Sequence, residues 1–393
     1  MPLEPKPTAW LLISTALLLL TIPGVALFYG GMVRRKNVLN TIGLPLSALM
    51  LASLLWLCWW KALAIGPIGP EAGGAPGPLW GGSSLLLPGH ALTAALALSL
   101  VAGGIVERVR FPFFLLFGIC WIAFVYGPIA RWLWGGGWLT NLGALDFAGG
   151  AVIHISAGVT ALVMAIMLGS RKGFGRVEMK PNHLPLSIFG AALMWVGWCG
   201  FSAGRGLASM ATATGAFVAI QIAAAAAALA WTAVEWAQRD KPTVLGTVSG
   251  AVAGLVAIAP AAGYVGPLSA AVIGIGAGGL CYMVVNFVKP ILGYDDSLDV
   301  FGMHAVGGAW GMIATGLFAS VAVNPDGGDG LFQGYPYQFF AQVVAAVSVC
   351  AFTAGMTVLL VKGLGMIVTP RVGDEAEIMG LDLTQHGEKG YTG

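Results

Sequence analysis

Apolar residues run along this chain in blocks of about twenty, separated by short polar or turn-rich intervals. About twenty apolar residues in a helix cover roughly 30 Å, the thickness of a hydrocarbon core, so each block predicts a transmembrane helix. Eleven such blocks are counted, over residues 9–32, 38–65, 85–106, 111–133, 145–169, 184–205, 211–236, 243–263, 267–289, 299–321 and 336–369. The Gly/Pro-rich stretch 66–84 and the segment Asn324-Pro325-Asp326-Gly327-Gly328-Asp329-Gly330 read as loops between helices. The pattern predicts an all-α membrane protein, with a transmembrane domain over residues 1–370 and a polar tail over 371–393.

An odd number of helices per half turns a second copy upside down, so helices one to five and six to ten are expected to form two inverted halves beside a long last helix. The clue lies in two helix starts. Helix five begins Asp146-Phe147-Ala148-Gly149-Gly150 and carries His154, and helix ten begins Asp299-Val300-Phe301-Gly302 and carries His304. Small residues follow each histidine, Gly158 in one helix and Gly307 and Gly308 in the other. Orientation follows from the basic residues, because cytoplasmic loops retain Lys and Arg. With the N-terminus outside, 15 of the 19 Lys and Arg residues fall on inner segments, leaving Lys6, Lys61, Arg131 and Arg205 outside. The chain is therefore expected to be N-out and C-in, in the cell (inner) membrane.

Composition narrows the function. Hydrophobic residues make up 58% of the chain and charged residues 9%, against roughly a quarter charged in soluble domains. The 59 glycines suit membrane helices that pack closely through small residues. The five cysteines stand singly in apolar spans, with no CxxC pair and no metal-ligand spacing, and read as packing residues. A net charge of +2 with no basic stripe leaves no footprint for nucleic acid. The first apolar block is too long for a signal-peptide core, so no cleaved signal is expected. No hydrolytic motif, phosphate loop or paired carboxylates appear, so neither an enzyme nor a cofactor is expected.

Polar residues within apolar spans are costly unless partnered, which makes an intramembrane histidine a functional candidate. His154 lies eight residues into its block, about 12 Å along the axis at ~1.5 Å per residue, and so near mid-membrane. His304 is five residues into its block. A packed-core histidine bonded to a carbonyl is the bland alternative, made less attractive by the matching positions in two repeats. His90, His183 and His386 lie at helix starts, in a basic loop or in the tail, and read as surface or structural. Trp134, Trp138, Trp195, Trp198 and Phe201 cluster toward the outer surface. They fit either an interfacial aromatic belt or a cage for a small ammonium-like cation.

At these residues a family resemblance becomes explicit. The run Phe28-Tyr29-Gly30-Gly31-Met32-Val33-Arg34-Arg35-Lys36-Asn37 resembles the first-helix signature of the ammonium transporter (Amt/Rh) family, and Asp146 to His154 its central motif. The stretches Trp195 to Gly204, Asp299 to His304 and Gly380 to Gly387 match as well, so the resemblance covers the chain as a divergent bacterial or archaeal-type member. It implies a homotrimer with one narrow pore per subunit, lined by His154 and His304 as twin histidines. It places Phe28, Trp134, Trp198 and Phe201 at gate or vestibule positions and Asp146 as structural support. It also implies passage of ammonium or ammonia across a lipid bilayer, and a tail that meets a PII-type signalling protein.

Departures from the family pattern set the alternatives. Where the pattern has serine after Phe201-Ser202-Ala203-Gly204, this chain has Arg205. A guanidinium about 6 Å from an entering cation, at an effective dielectric near 20, repels it by roughly 3 kcal/mol. Thr93 stands at the helix-three position that usually supplies an aromatic gate, with Gly89 one turn before it, and Gly66-Pro67 and Lys61 replace acidic character at the end of helix two. The alternatives are a pore for another small neutral or anionic solute, or a non-conducting sensor.

Overall fold

In the computed structural model, which describes residues 5–59, 87–206 and 209–391, the apolar blocks become eleven rods. The stretch 66–84 and Lys61 lie outside the described residues. The rods are α1 (Pro5–Leu19, continued by Thr21–Met32), α2 (Val38–Trp59), α3 (Leu87–Ile105), α4 (residues 111–134), α5 (Gly150–Leu168), α6 (Leu184–Arg205), α7 (Met210–Arg239), α8 (Val244–Ile258), α9 (Pro267–Leu292), α10 (residues 301–318) and α11 (Pro336–Gly365). No β-strand occurs among the described residues. The protein is a helical membrane protein, and its rods are ranked by burial. The most apolar stretch of α5 is 78% buried and that of α11 only 28%. Hence α5 runs through the centre, while α11 lies along α4, α5 and α10 with its other side turned outward.

The neighbours repeat between the halves. α2 packs on α3 and α4 as α7 packs on α8 and α9, α3 packs on α5 as α8 packs on α10, and α1 lies along α6. The backbone repeats too. Before α5, the amides of Phe147 and Ala148 donate to the carbonyls of Pro260 and Ala259 at the end of α8. Before α10, the amides of Ser297 and Leu298 donate to the carbonyls of Gly104 and Gly103 at the end of α3. Each broken helix is thus seated on the third helix of the opposite half, at the same distance from its histidine.

Four π-helical stretches among the described residues fall in matched pairs. In α4 and α9, residues 122–126 and 284–288 widen into a π-helix just before Pro128 and Pro290. Proline has no N–H to donate and its ring crowds the preceding turn, so the helix opens by one residue there. The other pair, Gly150–Ile155 and Phe301–Ala305, carries the two histidines. Two expectations are corrected by this register. Helix five starts at Gly150, and residues 145–149 are a non-helical entry segment held by Asp146. The counterpart of Asp146 is Asp296, eight residues before His304, and Asp299 instead matches Gly149. Both Gly149 (φ 95°) and Asp299 (φ 61°) are left-handed, a turn that glycine adopts freely and aspartate tolerates.

At the end of the bundle that holds most Lys and Arg residues, buried charges tie the loops together. Glu107 receives Arg34 Nε at 3.0 Å and Arg171 Nη1 at 2.9 Å, and Asp295 receives Arg171 Nη2 at 2.7 Å. The tail docks on the same end. Arg371 meets Glu377 at 2.7 Å, Asp382 accepts from the Asn40 amide at 2.8 Å, and Lys36 donates to the Ile378 carbonyl.

Candidate functional site

The two histidines meet where α5 and α10 cross. Their approach depends on the small residues one turn later. A Cβ on Gly308 would stand 2.6 Å from the Gly150 carbonyl and 3.1 Å from the His154 Cβ, and one on Gly158 would strike Ala305. With glycine at both places, His154 Nδ1 lies 3.2 Å from His304 Nδ1, the rings stacked 5.3 Å apart and inclined by 20°. Both imidazoles are buried. Trp198 adds a third ring, stacked on His154 at 4.9 Å and 13°.

This contact restricts the tautomers. An Nδ1 to Nδ1 hydrogen bond needs one ring to donate and the other to accept. One Nε2 is then a lone-pair acceptor and the other an N–H donor, at opposite ends of the pair. His154 Nε2, Trp198 Nε1 and Ser202 Oγ are buried with no hydrogen-bond partner among the described residues. Such orphans cost about 1–3 kcal/mol each, so a small polar guest beside them recovers that energy.

Asp146 anchors α5 from below its first turn. Oδ1 accepts from the amides of Gly149 (2.9 Å) and Gly150 (2.6 Å), and Oδ2 from those of Ala151 and Val152 (3.0 Å each). Four donors occupy the carboxylate, which also sits at the positive end of a helix. Its own carbonyl accepts from Trp134 Nε1 at 2.7 Å. Arg205, at the end of α6, donates from Nε to the Phe147 carbonyl at 2.8 Å and lays its guanidinium 4.5 Å above the Trp134 ring.

Two cavities approach the histidines from opposite ends. One, of about 80 Å³, is lined by Ser14, His90, Thr93, Phe201, Gly204 and Arg205 at the end away from the basic loops. The other, of about 190 Å³, is lined by Phe28, Trp231, Ser249, Asp299, Met303 and His304. The structure therefore divides the predicted residues. Thr93, Phe201, Arg205 and Trp134 gather at the first cavity, Phe28 faces the second, and Trp198 and the histidines fill the space between. Trp138 packs on Trp132 and is largely exposed, and Trp195 bonds Gln221 on the outer surface of α6, so both stand apart from this line.

Three residues escaped the sequence reading. His90, expected to be surface or structural, lines the first cavity between the rings of Trp56 (5.9 Å) and Trp134 (6.3 Å). His90 lies five residues into the block 85–106, as His304 lies five into the block 299–321, so the rule that flagged the other two applies to it as well. Tyr126, whose hydroxyl bonds Thr93 Oγ1 at 2.7 Å, fills space that the smaller threonine leaves. Asp296 was legible only through its eight-residue spacing to His304.

Residues 9–391 match the model of the Ammonium Transporter Family. The chain is 43% identical to the ammonium transporter of Bacillus subtilis over 98% of both chains, and 43% identical to ammonium transporter Amt1 of Archaeoglobus fulgidus, again over 98% of both. Its fold resembles the crystal structure of Candida albicans Mep2 with a TM-score of 0.86 at 31% identity, covering 98% of this chain and 90% of that one.

Proposed function

Because the chain belongs to the ammonium transporter family, we propose that it carries ammonium nitrogen across the membrane as ammonia, along the line from Phe201 past His154 and His304 to Phe28. The observation that carries this reading is the Nδ1 to Nδ1 contact of two buried histidines at the crossing of α5 and α10. An ammonium ion moved into so apolar a passage loses several kcal/mol of hydration, whereas ammonia loses far less. Burial therefore favours the neutral base, as it does for a buried lysine. Ammonia is both donor and acceptor, and the imidazole pair offers one of each. A charged imidazole would repel an incoming cation and abolish this complementarity.

The test is uptake by purified protein in liposomes. His154→Leu and His304→Leu keep the bulk and remove the hydrogen bonds. Each is expected to lower uptake about tenfold or more, since about 1.4 kcal/mol of lost guest stabilisation is tenfold. Unchanged uptake in both would remove the pair from the pathway.

The same reading places the basic end in the cytoplasm, with the N-terminus outside, supported by the distribution of Lys and Arg. It makes the assembly a trimer and the docked tail a contact for a PII-type protein. An impermeant thiol reagent should label Lys389→Cys only after the cell membrane is opened. Cross-linking should saturate at three subunits, and deletion of residues 371–393 should abolish capture of a PII-type protein.

A further inference from the structure

We propose that Arg205 is a resident cation of the outer mouth, holding the Trp134 ring face itself, so that the passage is entered by neutral ammonia and not by the ammonium ion. The inference rests on the reading above and adds a selection rule to it. A ring face attracts one cation at a time, and the guanidinium already lies 4.5 Å from the Trp134 centroid. The side chain is also fixed. Nε donates to the Phe147 carbonyl at 2.8 Å, and the residue lines the cavity beside Ser14, Thr93 and Phe201.

Cancellation by a carboxylate is the natural objection. Asp146 is the neighbouring acid and its charge offsets part of that of Arg205, but both its oxygens are taken by the first four amides of α5 and it forms no ion pair with Arg205 among the described residues, so the guanidinium keeps its place on the ring. The other titratable groups that feel Arg205 are His90 on α3, Tyr126 on α4 and Tyr264 after α8, none of them an acid at neutral pH. A guanidinium with no ion-pair partner among the described residues therefore stands on the approach to Phe201 and His154. A cation within about 6 Å of it is disfavoured on the order of tenfold to a hundredfold, while ammonia, having no charge, is not.

The position of Arg205 at the very end of α6 explains how the fold tolerates it. Long basic side chains at helix ends reach toward the interface, and here the reach ends on an aromatic ring. A serine or glutamine in its place would leave Trp134 open to a mobile cation. Lysine would keep the charge.

Two measurements test the rule. The first is equilibrium binding of radiolabelled methylammonium to purified protein at fixed pH, for wild type, Arg205→Ser, Arg205→Gln and Arg205→Lys. Wild type and Arg205→Lys are expected to bind weakly, and the Ser and Gln variants about tenfold to a hundredfold more tightly. The second is uptake in liposomes as a function of pH. At fixed total ammonium below its own pKa, wild-type uptake should follow the neutral base, rising about tenfold per pH unit without a current. The Ser and Gln variants should instead saturate and carry a current. Equal methylammonium affinity in wild type and both neutral variants overturns the inference, whether or not any of them conducts. If the affinities differ as expected but no variant passes ammonia, the selection at the mouth stands and it is the passage past the histidines that fails. Gln guards against misfolding, since it preserves length and a donor for the Phe147 carbonyl.

Discussion

Single side chains at this site act mainly through what they hold in place. Asp146 touches no histidine, yet its four backbone bonds fix the first turn of α5 and with it the depth of His154. In Asp146→Asn one of the two oxygens becomes an amide nitrogen facing the N–H groups of Ala151 and Val152 or of Gly149 and Gly150. Two buried donors are then unpaired, at about 1–3 kcal/mol each. The variant is expected to unfold at a measurably lower temperature in detergent and to lose uptake in parallel; an unchanged melting temperature would mean that the cap is dispensable. How far such roles could be read beforehand depends on whether they follow from spacing or from packing. His154, His304 and Arg205 are visible as polar residues within or at the ends of apolar blocks. The place of His90 beside the cavity is not legible in sequence, because its ring environment, Trp56 and Trp134, comes from two other helices. Asp299 was paired with Asp146 because both open a helix block, whereas the backbone shows that Asp299 fills the left-handed position of Gly149.

At the level of helices, the crossing of α5 and α10 is the element on which the site depends. Gly158 and Gly308 each follow a histidine by one turn, and each lets the opposite helix come within backbone contact. Overpacking of such a contact costs typically about 1–3 kcal/mol and separates the elements. Gly308→Ala should therefore reduce thermal stability by that amount and uptake by about tenfold or more. Full activity and an unchanged melting temperature in Gly308→Ala would refute the argument. The blocks that became helices were plain from hydropathy, because a bilayer requires each span to satisfy its own backbone bonds. Their irregularities were not. Proline within a block marks the π-helical stretches of α4 and α9 after the fact, but those of α5 and α10 contain no proline, and the start of α5 at Gly150 follows from where Asp146 can cap.

For the molecule as a whole, the buried charges of the basic end make stability depend on pH. Glu107 and Asp295 are buried, which alone would raise their pKa, but Arg171, with Arg34 on one and Arg108 on the other, holds both below the ordinary carboxyl values. The folded protein therefore keeps these carboxylates ionised at pH values where the unfolded chain has taken up protons, and their contribution is complete above the unfolded values near 4 and lost as pH falls through the lower folded ones. Asp296 has the opposite sign. Burial, with a smaller push from Asp299, raises it to about 6 against the pull of Lys289. The folded state then holds a proton that the unfolded chain has released, so this group's contribution to stability declines as pH rises from about 4 to about 6 and is constant above. Asp296→Asn retains an oxygen for the Phe301 amide, which the carboxylate binds at 2.7 Å, and has no charge to bury. The variant should therefore match the wild type in melting temperature in detergent near pH 4, gain on it as pH rises to about 6, and keep a constant lead at pH 7 to 8. If Asp296→Asn instead destabilises at neutral pH, the buried carboxylate is ionised and paired in the folded protein, and Lys289 is its partner rather than a bystander.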